Sequence, residues 1–279
     1  MIIDVHAHVS PTRKPLPEDL SAAATQYMFS TGVEVTHYGT DEDLVNGLKA
    51  AGVSKACALP PIAGPNVDRT TKLNDLIKVS MLEYPSIEGF ASINPNSNGA
   101  EEETDRVLRD ESFLGLVVDP VQRFNFAGSE FWRILEIAKQ HKTTIFVHSE
   151  YTENNYFDAD DVNETLMSFP QLNFIFTLAK NVGYIVPEPN AYFETSHVTE
   201  KELHHALETY GNDKILYGSD FKYNFYPIGE LEKLHSLEVE PEIKERILGR
   251  NAAEALRLPL IKKSSILEKL GFLRRFKLH

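Results

Sequence analysis

His6 and His8 flank Ala7 at the end of the apolar run Met1-Ile2-Ile3-Asp4-Val5. Such a run predicts a short buried strand, and strand side chains alternate between faces, so residues 6 and 8 project on the same side. Two imidazoles side by side on rigid backbone make half of a transition-metal site. The spacing is also compatible with packing, so the rest of the chain has to decide. His148 ends the run Thr143-Thr144-Ile145-Phe146-Val147, and Asp220 ends Ile215-Leu216-Tyr217-Gly218-Ser219. Taken singly, His148 reads as a core histidine satisfied by backbone, and Asp220 as a helix cap. Together, three imidazoles and a carboxylate can supply nitrogen and oxygen to one divalent ion. Zinc is the expected ion, and manganese, iron or nickel suit the same donors.

That reading requires elements that bring these residues together. Apolar, β-branched runs predict strands at 2–6, 53–59, 87–93, 114–118, 143–148, 172–178, 191–194 and 214–217. Between them lie helical patterns. Thr40 caps a helix over 41–51 with Asp41, Glu42 and Asp43 in its first turn, and Gly52 stops it. Others follow at 74–84, closed by Pro85, at 101–109, at 130–141, at 162–169, closed by Pro170, and at 200–210. Eight apolar strands alternating with helices predict a parallel sheet covered by helices. A closed (β/α)8 TIM barrel fits best, with an open doubly wound sheet as runner-up. The open sheet is weakened because His6-Ala7-His8 stands where a Gly-rich turn would follow the first strand. In the closed barrel strands one and eight are neighbours and strand five lies across the mouth. Chemistry in such barrels gathers at the C-terminal strand ends, where all four residues fall.

The bulk properties are ordinary for a soluble globular enzyme. At 279 residues with 42% hydrophobic content, the chain has material for one large core. It reads as a single domain over 1–279 with a C-terminal helical extension. A formal charge of −13 argues against nucleic acid as a partner. No apolar run is long enough to span a bilayer, and no charged n-region with an apolar h-region opens the chain. The basic stretch 262–279 could form an amphipathic helix, better suited to packing on the acidic body or on the second copy of a homodimer than to a membrane. The single cysteine, Cys57, lies in an apolar run, reads as a buried thiol and suits a reducing, cytoplasmic setting.

At these residues the sequence resembles the metal-dependent amidohydrolase superfamily, and within it the amidohydrolase-related, decarboxylase-like branch. Ile3-Asp4-Val5-His6-Ala7-His8-Val9 resembles its first-strand motif, and Leu73-Asn74-Asp75 through Tyr84-Pro85 its second helix. Gly89-Phe90-Ala91-Ser92-Ile93-Asn94-Pro95 resembles the third strand, Phe146-Val147-His148 the fifth and Leu216-Tyr217-Gly218-Ser219-Asp220 the eighth. Asn251-Ala252-Ala253-Glu254-Ala255-Leu256 resembles the closing helix. The resemblance implies His6, His8 and His148 as metal ligands. Asp220 would hold the metal weakly or take a proton from its water. A bound divalent ion lowers the pKa of its water to about 7, which makes hydroxide available at neutral pH.

Two departures shape the expectation. Relatives commonly end strand six with a histidine shortly before a glycine, whereas residues 172–183 here contain none; Leu178, Lys180 or Asn181 falls at that place by different counts. Strand four has valines where two-metal relatives carry a bridging lysine, so one ion is expected. His197, after strand seven, and Lys180 are candidate substitutes for the absent histidine. Arg123, Tyr151 and Tyr223 follow strands four, five and eight as candidate substrate contacts. The leading functional reading is hydrolysis of a small amide, ester or lactone by hydroxide on the metal. Non-oxidative decarboxylation of an aromatic or unsaturated acid is the rival, and a binding barrel without turnover is the non-enzymatic alternative. A phosphoesterase is disfavoured, because no further His/Asp/Glu cluster offers a second metal.

Overall fold

The computed structural model describes residues 1–10, 39–61, 63–110, 112–149, 158–178, 183, 185–221 and 228–258. Among them, eight parallel strands follow one another in chain order. They are β1 (Ile3–His8), β2 (Lys55–Leu59), β3 (Ile87–Ser92), β4 (Phe113–Val118), β5 (Thr144–Val147), β6 (Asn173–Thr177), β7 (Ala191–Glu194) and β8 (Ile215–Leu216). The two ends of the sheet meet where Ala7 bridges Phe221 and Val5 N–H donates to Tyr217 C=O at 3.0 Å. The sheet is therefore a closed barrel, as the alternating pattern predicts. β8 is short because Tyr217 N–H turns to Ile247 C=O, 2.9 Å away, in a π-helical turn at Arg246–Arg250.

The helices are α1 (Asp41–Ala51), α2 (Val67–Glu83), α3 (Ala100–Arg109), α4 (Ser129–His141), α5 (Ala159–Ser168), α6 (Glu200–Tyr210), α7 (Ile228–Ser236), α8 (Pro241–Glu245) and α9 (Asn251–Ala255). The Thr40 side chain accepts Asp43 N–H while Asp43 reaches back to Thr40 N–H, and Gly52 closes α1 at φ 69°. α2 starts seven residues before the expected 74, because the Asn66 side chain caps it by accepting Arg69 N–H at 3.1 Å. Asn74, buried on α2, bonds both backbone groups of Ser92 on β3 and the Glu103 carboxylate of α3. One amide thus ties three elements. No described helix is long and apolar enough to cross a membrane.

Alternation divides the core into two layers. Ile3, Val5, Cys57, Leu59, Phe90, Val117, Phe146, Ile175 and Leu216 fill the barrel, and the alternate strand residues pack outward under the helices. Ala252, Ala253, Ala255 and Leu256 join the inner layer from α9. Ala255 C=O accepts from the Thr144 hydroxyl (2.9 Å) and the Asn173 amide (2.7 Å), which closes the barrel floor. Cys57 is wholly buried, and burial pushes its thiol pKa well up, so it packs rather than reacts.

β1 breaks the alternation. Against β2, Asp4 pairs with Ala56 but Ala7 pairs with Ala58, so β1 carries one extra residue. Ile3 and Val5 face the barrel interior, whereas Ala7 and Val9 face the helices. Val5 N–H and His8 N–H, three residues apart, both point to the β8 side. A β-bulge of this kind re-aims the side chains beyond it. Here it turns His6 and His8, rather than Ala7, into the barrel mouth.

Candidate metal centre

Each candidate ligand stands at the C-terminal end of a strand, on the rim the barrel leaves for chemistry. His6 and His8 come from β1, His148 follows β5 and Asp220 follows β8. The three histidines form a group whose donor atoms all lie within 4.8 Å of one another, the one such group among the described residues. His6 Nε2 is 3.1 Å from His8 Nε2 and 3.2 Å from Asp220 Oδ1, which lies 3.5 Å from His8 Nε2. Donors about 2.1 Å from one ion would be roughly 3.0–3.4 Å apart at octahedral or tetrahedral angles. The observed separations of 3.1, 3.2 and 3.5 Å are close to such edges, so these residues could hold one ion. Beneath the histidines Phe146 forms a floor, with ring centroids 4.9 Å from His6 and 5.2 Å from His148.

His6 is oriented from behind. Its Nδ1 lies 3.3 Å from the buried Glu194 Oε1 and 3.4 Å from the Ser196 hydroxyl, so its polar partners behind the ring leave Nε2 facing the other histidines. Glu194 is itself fixed: Oε2 accepts Ser196 N–H and Oε1 the Ser196 hydroxyl, each at 2.8 Å. Gly218 makes room for this carboxylate. A Cβ there would overlap Glu194 Oε2 and lie 3.1 Å from His6 Cβ. Gly218→Ala is therefore expected to leave the barrel folded and weaken zinc binding about 10–100-fold, the usual cost of disturbing a ligand's outer partner. Competition against a chromophoric chelator reads the change. Wild-type affinity would show that Glu194 can shift without moving His6.

The two oxygens of Asp220 face different neighbours. Oδ1 faces the histidine nitrogens, and Oδ2 is 2.6 Å from His197 Nε2. The carboxylate is 2% exposed and the imidazole 53%, so this hydrogen bond leads from the buried centre to solvent at the mouth. Both residues adopt left-handed backbone, φ 50° at Asp220 and 59° at His197. Such conformations cost on the order of 1–3 kcal/mol and concentrate at functional sites. Asp4 supports the same corner: its carboxylate accepts His6 N–H (3.1 Å), Ser219 N–H (3.0 Å) and the Ser219 hydroxyl (2.6 Å). Complete burial pushes the Asp4 pKa up to about 7 against the opposing pull of those donors.

The structure joins His197 to the cluster, as one of the two candidates for the absent strand-six histidine. At the end of β6 the inward residue is Thr177, one alternation beyond Ile175; Leu178 packs outward. The Thr177 hydroxyl accepts Ser149 N–H at 2.8 Å, beside His148. Arg123 ends the turn after β4 with φ 59° and is exposed. Lys180, Asn181, Tyr151, Tyr223 and the basic stretch 262–279 lie outside the described residues. Sequence reading passed over Glu194, Asp4, Gly218 and Ser219. Glu194 had a signal, since it is the polar residue that terminates β7, as His148 and Asp220 terminate theirs.

The amidohydrolase family model matches residues 3–258. No curated protein matches the sequence. Among solved structures, 2,6-dihydroxybenzoate decarboxylase from Rhizobium is similar at 14% identity and a TM-score of 0.68, over 92% of this chain and 98% of that one. The 4-oxalomesaconate hydratase of Rhodopseudomonas palustris is similar at 16% identity and a TM-score of 0.68, over 98% of this chain and all of that one. A dihydroxybenzoic acid decarboxylase from Polaromonas sp. JS666, with bound manganese and the inhibitor 2-nitroresorcinol, gives 14% identity and a TM-score of 0.68, over 92% and 97% of the two chains. At these identities the likeness is one of fold.

Proposed function

Because this chain belongs to the amidohydrolase family, we propose that it is a single-metal enzyme, with zinc as its ion, that hydrolyses a small amide, ester or lactone. The observation that carries this reading is the convergence of His6 Nε2, His8 Nε2 and Asp220 Oδ1 at ligand-to-ligand spacing, with His148 closing the group. When bound, the ion supplies a Lewis acid that polarises a carbonyl and acidifies a water. The chain supplies the rest. Glu194 sets the His6 tautomer, so Nε2 is the donor presented to the centre. Asp220 takes up the proton released as the nucleophile forms and returns it to the leaving group. His197 holds Oδ2 and thereby turns Oδ1 toward the reacting atoms. Phe146 and the inner layer below it keep water from reaching the histidines from beneath.

A second reading, non-oxidative decarboxylation of an aromatic or unsaturated acid, draws support from the solved structures of similar fold that are decarboxylases. In it Asp220 would protonate the carbon that loses its carboxylate. Both readings predict about one divalent ion per chain in protein purified without chelator, measured by elemental analysis. Metal-loaded protein is then offered amides, lactones and hydroxylated aromatic acids, and product identity separates hydrolysis from decarboxylation. Protein that neither carries nor takes up zinc or manganese overturns both. A loaded protein that turns over nothing in the panel favours the binding barrel.

A further inference from the structure

The β1 bulge strands a backbone donor, and one side chain collects it. In a regular ladder His6 N–H would pair with a neighbouring strand; here it donates to Asp4 Oδ1 at 3.1 Å. The same oxygen accepts Ser219 N–H at 3.0 Å, and Oδ2 accepts the Ser219 hydroxyl at 2.6 Å. Asp4 is wholly buried between β1 and the end of β8. A buried backbone N–H left without an acceptor carries its full desolvation cost, so the bulge depends on an acceptor at this place. The ladder shows what the bulge does: inward residues run Ile3 and Val5 below it, then His6 and His8 above it. Without the extra residue, the inward series through Ile3 and Val5 would continue to Ala7, and the histidines would face the helices. On the β8 side, Asp4 grips the residue before Asp220, which sits in left-handed backbone at φ 50°.

We infer that Asp4 is the positioning residue of the centre: its carboxylate builds the bulge that aims His6 and His8, and ties that bulge to the residue preceding Asp220. One carboxylate thereby sets the placement of three of the four candidate ligands. The inference rests on the proposed metal site and adds the device that assembles it.

The test compares zinc affinity, by chelator competition, in wild type, Asp4→Asn, Asp4→Ala and Ser219→Ala, with thermal unfolding of each metal-free protein alongside. The Asn oxygen keeps both backbone N–H bonds, so Asp4→Asn is expected to bind zinc within about threefold of wild type. Asp4→Ala leaves both donors stranded and is expected to lose about 10–100-fold, the range for lost support of metal ligands. A merely structural aspartate would lower the melting temperature of Asp4→Ala while leaving the affinity of its folded form unchanged, and that result overturns the inference. Loss of tenfold or more in Asp4→Asn also overturns it, because charge rather than hydrogen-bond acceptance would then be at work. Should Asp4→Ala not fold, Ser219→Ala decides: it cuts the hydroxyl tie to β8, and unchanged zinc affinity would refute the link to Asp220. Wild-type protein that binds no zinc removes the metal site itself, a failure distinct from any of these.

Discussion

His148→Ala is expected to yield a folded barrel that no longer retains a divalent ion. The histidine follows β5, above Phe146, on the rim rather than in the layers that carry the barrel's packing. Truncation removes one of three nitrogen donors and leaves a centre open to water on the side facing β5. The lower barrel keeps Phe146, Ile175 and Val117 in place, so stability should change little. The paired change His6→Ala/His8→Ala should have the same outcome from the opposite side of the mouth. Metal content after dialysis, with far-UV circular dichroism as the control for folding, gives the answer. A variant that keeps the full metal content is removed from the ligand set.

Asp220→Asn should lower kcat by about 10²–10⁴ on any substrate found by the panel, the usual worth of a general acid–base group. The exchange is nearly isosteric, and its effect on folding should be small for a particular reason. Asp220 stands at φ 50°, and asparagine tolerates left-handed backbone well. An amide oxygen can still face the ion while the amide N–H₂ donates to His197 Nε2, so metal should stay bound. The amide cannot take up a proton. Wild-type kcat in this variant would reduce Asp220 to a ligand.

The barrel was legible because most of its strands are short apolar runs, and the candidate ligands because polar residues ending such runs stand out. Helix boundaries were less so: the Asn66 cap lies in a Pro- and Gly-rich stretch, and the α2 pattern reads clearly only from Leu73 onward. For β1, simple alternation put His6 and His8 on one face correctly, yet it would have placed Asp4 with them. The bulge reverses that, and an inserted residue leaves no mark in hydrophobic pattern because Val5, His6 and Ala7 are all buried. His197 could be named from its place after strand seven. Its bond to Asp220 could not, since it depends on left-handed backbone at both residues.

The closure of the barrel has a consequence for how the centre comes into being. His6 and His8 lie among the first eight residues, while Phe221, which bridges Ala7, and Asp220 beside it come more than two hundred residues later. Contacts so distant in sequence form late, since each must overcome the loop entropy of the intervening chain. No single segment contains all four candidate donors, and they come together only where β1 meets the end of β8. On this topology the candidate site needs the closed barrel. An ion bound only by the closed form adds its binding free energy to the β1–β8 seam. The metal that would serve chemistry at the mouth would also act as the rivet of the barrel.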